Sequence, residues 1–510
     1  MNTAVRKPLF SRTFFTSLFR WKNLATAAAA VAIAVSLYRY MDTLHSGAIV
    51  AYLLYPLSIA CLALLLYTRA YARYPEVRLM GAFFGWTLIV IVLNMNRANG
   101  ALSSEWFYTL CAACFLCFSL PYAFEASERE RVLSFLAVIT VLLSAAFCAF
   151  AVTNVMAGRV IDAHTGVEGA LGIGSDGRLW MFCYPNAAAP ICGIGLLLSA
   201  YLFFLPSVNP RRKWLRFLLI LPFLICTIAL ALTDSRAGIL SSAAALGAIA
   251  FFAVCASQLF QRKRLYQVIF AAVLALVVMF AFYKGSAWIR QGYNAYFSVT
   301  HLESSVPATM PSNETATDAA DTTASLPETS APAGDTTVPP QAQTISSRDL
   351  SDLGDFNGRT AIWAATLRGL TENPSVLLTG TTPILAGKMM TVYFPPEAPA
   401  ENFHNSFVAI LVSFGIPGLL LILALVVLLA IRGVQAIVHG LFDAGSLHVR
   451  LVLSLLIFTL AESMMEQFLF VDGMPSVVWI WFMLAAGFTF CFSRETAAPA
   501  SAAKRRSIGN

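Results

Sequence analysis

The sequence predicts an all-α polytopic membrane protein with about twelve transmembrane helices and one large extracytoplasmic loop before the tenth. Three observations carry this. Of 510 residues only 12% are charged and 58% are hydrophobic, about half the ~25% charged content usual for a soluble chain. The mean hydropathy of +0.71 is gathered into apolar runs of about 17 to 25 residues, the length that crosses a hydrocarbon core ~30 Å thick. Lysine and arginine collect in alternate connections between those runs, as the positive-inside rule requires. An ordinary soluble enzyme is thereby excluded, and the net charge of +7 first has to be divided between the two sides of a membrane before it says anything about partners.

A basic segment, residues 1–22, carries Arg6, Lys7, Arg12, Arg20 and Lys22 ahead of an alanine-rich run. No small-x-small cleavage site follows, so the segment is read as a cytoplasmic N-terminus before an uncleaved first helix. Apolar runs lie near residues 23–38, 47–67, 79–96, 106–124, 132–155, 186–205, 217–233, 238–259 and 267–283, giving spans one to nine over 23–283. Spans ten to twelve, within 405–493, are placed near 405–430, 451–470 and 477–493, and 494–510 form a basic cytoplasmic tail. Starting inside, the cytoplasmic connections carry Arg69/Arg73/Arg78, Arg129/Arg131, Arg211/Arg212/Lys213/Arg216, Arg262/Lys263/Arg264 and Arg432/Arg450, and the tail Lys504/Arg505/Arg506. Both termini are therefore expected on the same side. The ten cysteines fall almost entirely inside apolar runs, where a thiol acts as a small core hydrophobe. Cys111, Cys114 and Cys117 accordingly read as helix packing, and only Cys183 is placed in a loop.

Residues 284–404 form an outer connection of about 120 residues, far beyond ordinary loop lengths. Its start, Trp288 to Leu302, is rich in aromatic residues and is expected to lie as an interfacial helix on the outer leaflet. Residues 303–347 turn into a Thr/Ser/Pro-rich tract with six acids and no Lys or Arg, expected to be disordered because it has too little apolar surface for a core. It contains an Asn313-Glu314-Thr315 sequon. Order is expected to resume over 348–404, where Phe356, Ile362, Trp363, Leu367 and Leu370 recur at helical spacing behind Asp355 or Asn357 as N-cap.

Few residues on the outer side can carry chemistry. Thr233-Asp234-Ser235-Arg236-Ala237-Gly238 makes a tight turn in which Asp234 or Ser235 caps the eighth span. Arg236 beside that helix N-terminus forms an anion site, or else reaches to headgroup phosphates. Arg359 and Trp363 share one face of the loop helix and suit a phosphate or sugar site, or ordinary amphipathic packing. His404 and Asn405 open the tenth span, in which Gly415-Ile416-Pro417-Gly418 follows. A straight helix over 404–431 would run about 42 Å, so the Gly/Pro cluster predicts a kink or break. Glu462 and Glu466 share a face of the eleventh span. Glu462 is expected to be the buried partner of an arginine, and Glu466 to sit closer to the outer interface. Six dispersed histidines with no His/Asp grouping give no metal site and no cofactor to propose.

These residues together resemble the O-antigen ligase and Wzy-type polymerase superfamily. His404-Asn405, nine residues, Gly415, two residues and Gly418 are similar to its His-[Asn/Ser/Gln]-x9-Gly-x-x-[Gly/Thr/Tyr] signature. Arg178 followed by Pro185-Asn186, Ser235-Arg236-Ala237, and Gly358-Arg359-x3-Trp363 resemble further family motifs in the expected order. The resemblance covers roughly 170–430. Gly380-Thr381-Thr382-Pro383 departs from the Gly-x-Gly usual after Asn373-Pro374, and the insert is atypical.

The resemblance implies a metal-independent, inverting glycosyltransferase of the plasma membrane. It would transfer or polymerise glycan from an undecaprenyl-diphosphate-linked donor to a glycan or lipid acceptor, with membrane lipids around it and no nucleic acid. His404 would take the acceptor's proton and Arg236 would stabilise the leaving diphosphate. Arg359, Arg178, Trp363, Asn405 and Glu462 would line the diphosphate and glycan site, with Asn402, Asn405 or Glu401 orienting the base or the sugar. The alternative is a lipid-linked oligosaccharide flippase or transporter, though no repeat relates the two halves of the chain.

Overall fold

The computed structural model describes residues 21–41, 74–94, 115, 117–158, 160–161, 171–174, 177–181, 183–205, 216–257, 263–302, 359–382, 386, 403–442, 447–469 and 476–508. The predicted span 47–67, most of 106–124, the 303–347 insert and its sequon, and Cys111, Cys114, Asp355, Asn357, Gly358, Glu401 and Asn402 lie outside the described residues.

The described chain is mostly helical: α1 (Trp21–Met41), α2 (Pro75–Asn94), α3 (Ala126–Met156), α4 (Pro185–Phe204), α5 (Ile220–Leu232), α6 (Arg236–Ala256) and α7 (Arg264–Leu302). Then follow α8 (Arg359–Glu372), α9 (Pro374–Thr379), α10 (Ser406–Gly440), α11 (Leu447–Met465) and α12 (Ser476–Ile508). Among the described residues α2, α3, α4, α6, α7, α10 and α11 are long and apolar enough to cross a membrane, and α1, α5 and α12 contain shorter apolar helices. The protein is a multi-pass membrane protein.

Helix α4 occupies the centre. Of its spanning window 89% is buried, although a lipid-facing helix needs apolar residues just as much, so hydropathy alone does not distinguish the two environments. Two glycines let neighbours approach it. A Cβ on Gly193 would lie 2.5 Å from Phe458, and one on Gly195 2.7 Å from Ser144 and 2.8 Å from Cys226. These contacts bring α11, α3 and α5 onto a single core helix. Helix α7 is the opposite case, with only 11% of its window buried and Leu265, Ile269, Val273, Leu276 and Phe280 turned outward. It is therefore a peripheral helix that meets lipid.

Local capping fixes where the helices start. Glu125 and Glu128 form a reciprocal capping box at α3, satisfying amide groups that a helix start leaves open. Pro185 opens α4, where its fixed φ is already helical and its missing N–H costs nothing. The Ser235 side chain accepts from the Gly238 amide at 3.3 Å, so Ser235 rather than Asp234 caps α6.

Two expectations are corrected. The chain is not all helix, because β1 (Val160–Ile161), β2 (Leu171–Gly174) and β3 (Leu179–Met181) form a small sheet between α3 and α4. Strands β1 and β2 are parallel and β2 and β3 antiparallel. Apolar Leu171, Ile173, Leu179 and Met181 are buried under the hairpin, and the turn is completed by Gly177 at φ 67, a conformation glycine adopts without steric cost. The aromatic stretch Trp288–Leu302 is not a separate interfacial helix either. It continues α7 as one helix of 39 residues, about 58 Å long, because no proline interrupts it between the apolar run and Leu302.

The predicted break in α10 is present. Gly415 has φ 66 and ψ −172 inside the helix, followed by Pro417. Breaking the ladder frees carbonyls that must find donors within the bundle. The Thr381 amide donates to Val412 O at 3.0 Å and the Thr382 amide to Ser413 O at 2.9 Å. Trp86 Nε1 donates to Phe414 O at 2.6 Å, and Asn94 Nδ2 holds Gly380 O at 3.2 Å. The loop after α9 thus plugs the break, with α2 bracing it from the side.

Candidate functional site

The start of α10, the end of α11, the start of α8 and the turn before α6 converge at one end of the bundle. Asn405 caps α10, its Oδ1 accepting from the Phe407 and Val408 amides at 2.8 and 3.1 Å. Its Nδ2 donates to Met464 O at 3.2 Å, tying the cap to the last turn of α11. Ser406 continues the lacing. Its hydroxyl donates to Glu466 O at 3.0 Å and accepts from the Phe468 and Leu469 amides at 2.8 and 3.0 Å. Trp363 Nε1 donates to Phe403 O at 2.8 Å, and the Phe403 amide donates to Gln467 Oε1 at 2.7 Å. Between these anchors His404 is held at φ 46, a left-handed conformation that a non-glycine residue keeps only when its surroundings enforce it.

Glu466 is the centre of the site. Its side chain is 1% exposed and lies 2.5 Å from Arg359 Nη2 through Oε1 and 2.8 Å from His404 Nδ1 through Oε2. Oε1 also accepts from Asn186 Nδ2 at 2.9 Å. The Asn186 carbonyl in turn accepts from Arg178 Nη2, and Arg178 Nε donates to Thr233 O at 2.9 Å. Charge fixes the amide's orientation, with its oxygen toward the guanidinium and its nitrogen toward the carboxylate. A continuous polar chain therefore runs from the Thr233 turn through Arg178, Asn186 and Glu466 to Arg359 and His404.

The same turn carries two more ionic groups. Asp234, at φ 47, pairs with Arg290 of α7 at 2.9 Å. Arg236 occupies the first position of α6, half-buried. Among the described residues, Arg178, Arg236, Arg290 and Arg359 outnumber the carboxylates Asp234, Glu462 and Glu466 by one in this cluster. Such an excess of guanidinium beside a helix N-terminus favours an anionic ligand. Cys183, between β3 and α4, donates to Met181 O at 3.4 Å; burial pushes its thiol up from the ordinary value.

Of the residues selected from sequence, His404, Arg359, Arg178, Trp363 and Asn405 meet in this laced segment, and Arg236 stands at the adjoining turn. Arg178 is 8% exposed and engaged by the protein, so it fastens the hairpin to the cluster. Glu462 is corrected: its hydrogen bond is to Ser241 at 2.7 Å, and the arginine's partner is Glu466. The difference between the two acids is one of depth. Helix α11 ends at Met465 and the chain then bends back under His404, so an acid one residue past the helix is buried instead of solvated. Glu466, Asn186, Asp234 and Arg290 were not singled out for these roles. The i,i+4 acid pair was the available signal for Glu466, whereas a neutral Asn186 and a lone arginine on a long helix carry little.

Residues 221–423 match the family model described as O-antigen ligase. This segment is O-antigen-ligase-like. No curated protein matches the chain. The family is one of membrane glycan ligation and polymerisation, carried out by glycosyltransferase-like ligases. The O-antigen-ligase-like segment contains Arg236, Arg290, Arg359, Trp363, His404 and Asn405, while Arg178, Asn186, Glu462 and Glu466 lie on either side of it. The polar chain is completed from outside the family match.

Proposed function

We propose that the protein transfers glycan from an undecaprenyl-diphosphate-linked donor to a hydroxyl acceptor on the outer face of the plasma membrane, with both termini in the cytoplasm and about twelve spans. The observation that carries this reading is the meeting of Arg359 and His404 on one buried carboxylate, at 2.5 and 2.8 Å. A cation suited to a phosphate and a base suited to a hydroxyl are thereby placed side by side.

His404 takes the proton from the acceptor hydroxyl as its oxygen bonds to the sugar C1. The C1–O bond to the diphosphate breaks on the opposite face, inverting the anomeric centre, and its electron pair leaves with the lipid diphosphate. Negative charge grows on that leaving group, so preoriented guanidinium groups stabilise the transition state more than the ground state. Arg359 and Arg236 serve this clamp without a metal, Trp363 and Asn405 shape the glycan side, and Arg178 and Glu462 hold the elements that carry them.

The test is His404→Ala assayed with purified lipid-linked donor and acceptor. A fall in turnover of about 10²–10⁴-fold is expected from losing a general base, with the protein still folded. Activity within a few-fold of wild type would remove His404 from this role. Ligation and polymerisation share the donor chemistry, and donor supplied without another acceptor tests between them: a carrier-linked ladder formed there eliminates a pure ligase.

A further inference from the structure

We infer that Glu466 is a positioning residue that sets the tautomer of His404 and so selects Nε2 as the base; this rests on the proposed proton transfer to His404. The argument is one of counting donors. A carboxylate has lone pairs and no hydrogens, and Glu466 already accepts from the Arg359 guanidinium at 2.5 Å through its other oxygen. A hydrogen bond from His404 Nδ1 to Oε2 at 2.8 Å therefore needs the hydrogen on Nδ1. In neutral imidazole the lone pair then lies on Nε2. When Nε2 takes up the acceptor's proton, the imidazolium forms against a buried carboxylate already in place, and no side chain has to move.

The two oxygens of Glu466 are not equivalent. Oε1 accepts from both Arg359 Nη2 and Asn186 Nδ2, whereas Oε2 faces His404. In Glu466→Gln the two donors hold the amide oxygen at the Oε1 position, and the amide nitrogen must occupy the place beside Nδ1. An NH₂ group there needs an acceptor, so Nδ1 loses its hydrogen and Nε2 gains it. The variant keeps the arginine anchored and inverts the imidazole. The carboxylate-to-amide change in a serine-protease triad, which lowers kcat about 10⁴-fold through the same tautomer error, sets the scale.

The experiment compares wild type, Glu466→Gln and His404→Ala in the donor–acceptor assay, together with ¹⁵N NMR of histidine-labelled protein. The signal of His404 is assigned by its loss in His404→Ala. Glu466→Gln is expected to lower kcat by about 10³–10⁴-fold with donor KM within a few-fold, and to move the His404 proton from Nδ1 to Nε2. A merely structural role would not move the tautomer. Glu466→Gln with wild-type kcat, or an Nε2-protonated His404 in the wild-type protein, would overturn the inference. The wild-type spectrum decides even if the variant does not fold. Should His404→Ala itself stay active, the base assignment fails separately, whatever the tautomer.

Discussion

Asp234 shows at the scale of one residue how the site is held. Its φ of 47 is costly for a non-glycine residue, and its side chain is 1% exposed against an Arg290 that is 11% exposed. Removing one member of such a pair leaves a buried charge without compensation, which costs about 3–5 kcal/mol, while removing both costs much less. Asp234→Asn and Arg290→Gln are each expected to lower the thermal midpoint in detergent, and the double variant to lie well above the sum of the two losses. Additive losses within about 0.5 kcal/mol would show that the pair does not stabilise the turn. Sequence made half of this neighbourhood legible. His404, Arg236 and Arg359 stand out because cationic and titratable groups are scarce on an acidic side of a membrane chain. Asp234 was visible only as an alternative cap, and Arg290 acquires its meaning when α7 carries it up beside the turn.

At the scale of elements, the interlocked backbones of α9 and α10 are the feature with the least tolerance. Gly415 lies at φ 66, ψ −172, a region essentially reserved for glycine, and a Cβ there would sit 2.5 Å from Leu378 O. Gly380, at φ 77, has its own Cβ position 2.4 Å from Ser413 O. Alanine at either place meets backbone, not a side chain that can turn aside. Gly415→Ala and Gly380→Ala are each expected to lose about 3 kcal/mol or more from strain and displaced hydrogen bonds together. Gly285→Ala is the control: it lies in α7 with nothing within 4 Å of its Cβ position and is expected to gain up to about 1 kcal/mol. Thermal unfolding of the three variants separates the cases, and equal midpoints would mean the interlock carries no stability. The break itself was readable from Gly415 and Pro417, since one unbroken helix is longer than the bilayer core. What plugs it was not, because Thr381 and Thr382 contribute mainly through backbone amides that any residue but proline possesses, with the Thr381 hydroxyl adding a bond to Val412 O at 3.2 Å. The small sheet is not legible in the sequence for a related reason: strands of two to four residues are too short for an alternating pattern to register.

For the whole molecule, the net charge of +7 is the small sum of two large and opposite quantities. Under the expected topology the cytoplasmic segments carry 23 Lys/Arg against 6 Asp/Glu, and everything else carries 11 against 21. The arginines of the site therefore stand on the side where cations are otherwise sparse, and their placement calls for an anionic ligand more than for orientation. Arg236 opens α6 and Ser406 opens α10 at the site end, whereas Arg264 opens α7 and Arg432 lies near the close of α10 at the other. Positive charge near helix ends orients a chain through the membrane, so the site end is expected to face outward. Cysteines introduced at Thr323 and Ser501 in an otherwise cysteine-free protein test this directly. In intact cells a membrane-impermeant maleimide is expected to label the cysteine at 323 and to reach the one at 501 only after permeabilisation. Labelling at 501 in intact cells, with 323 protected, would invert the chain, turn Glu466, His404 and Arg359 toward the cytoplasm, and end the proposal of transfer on the outer face.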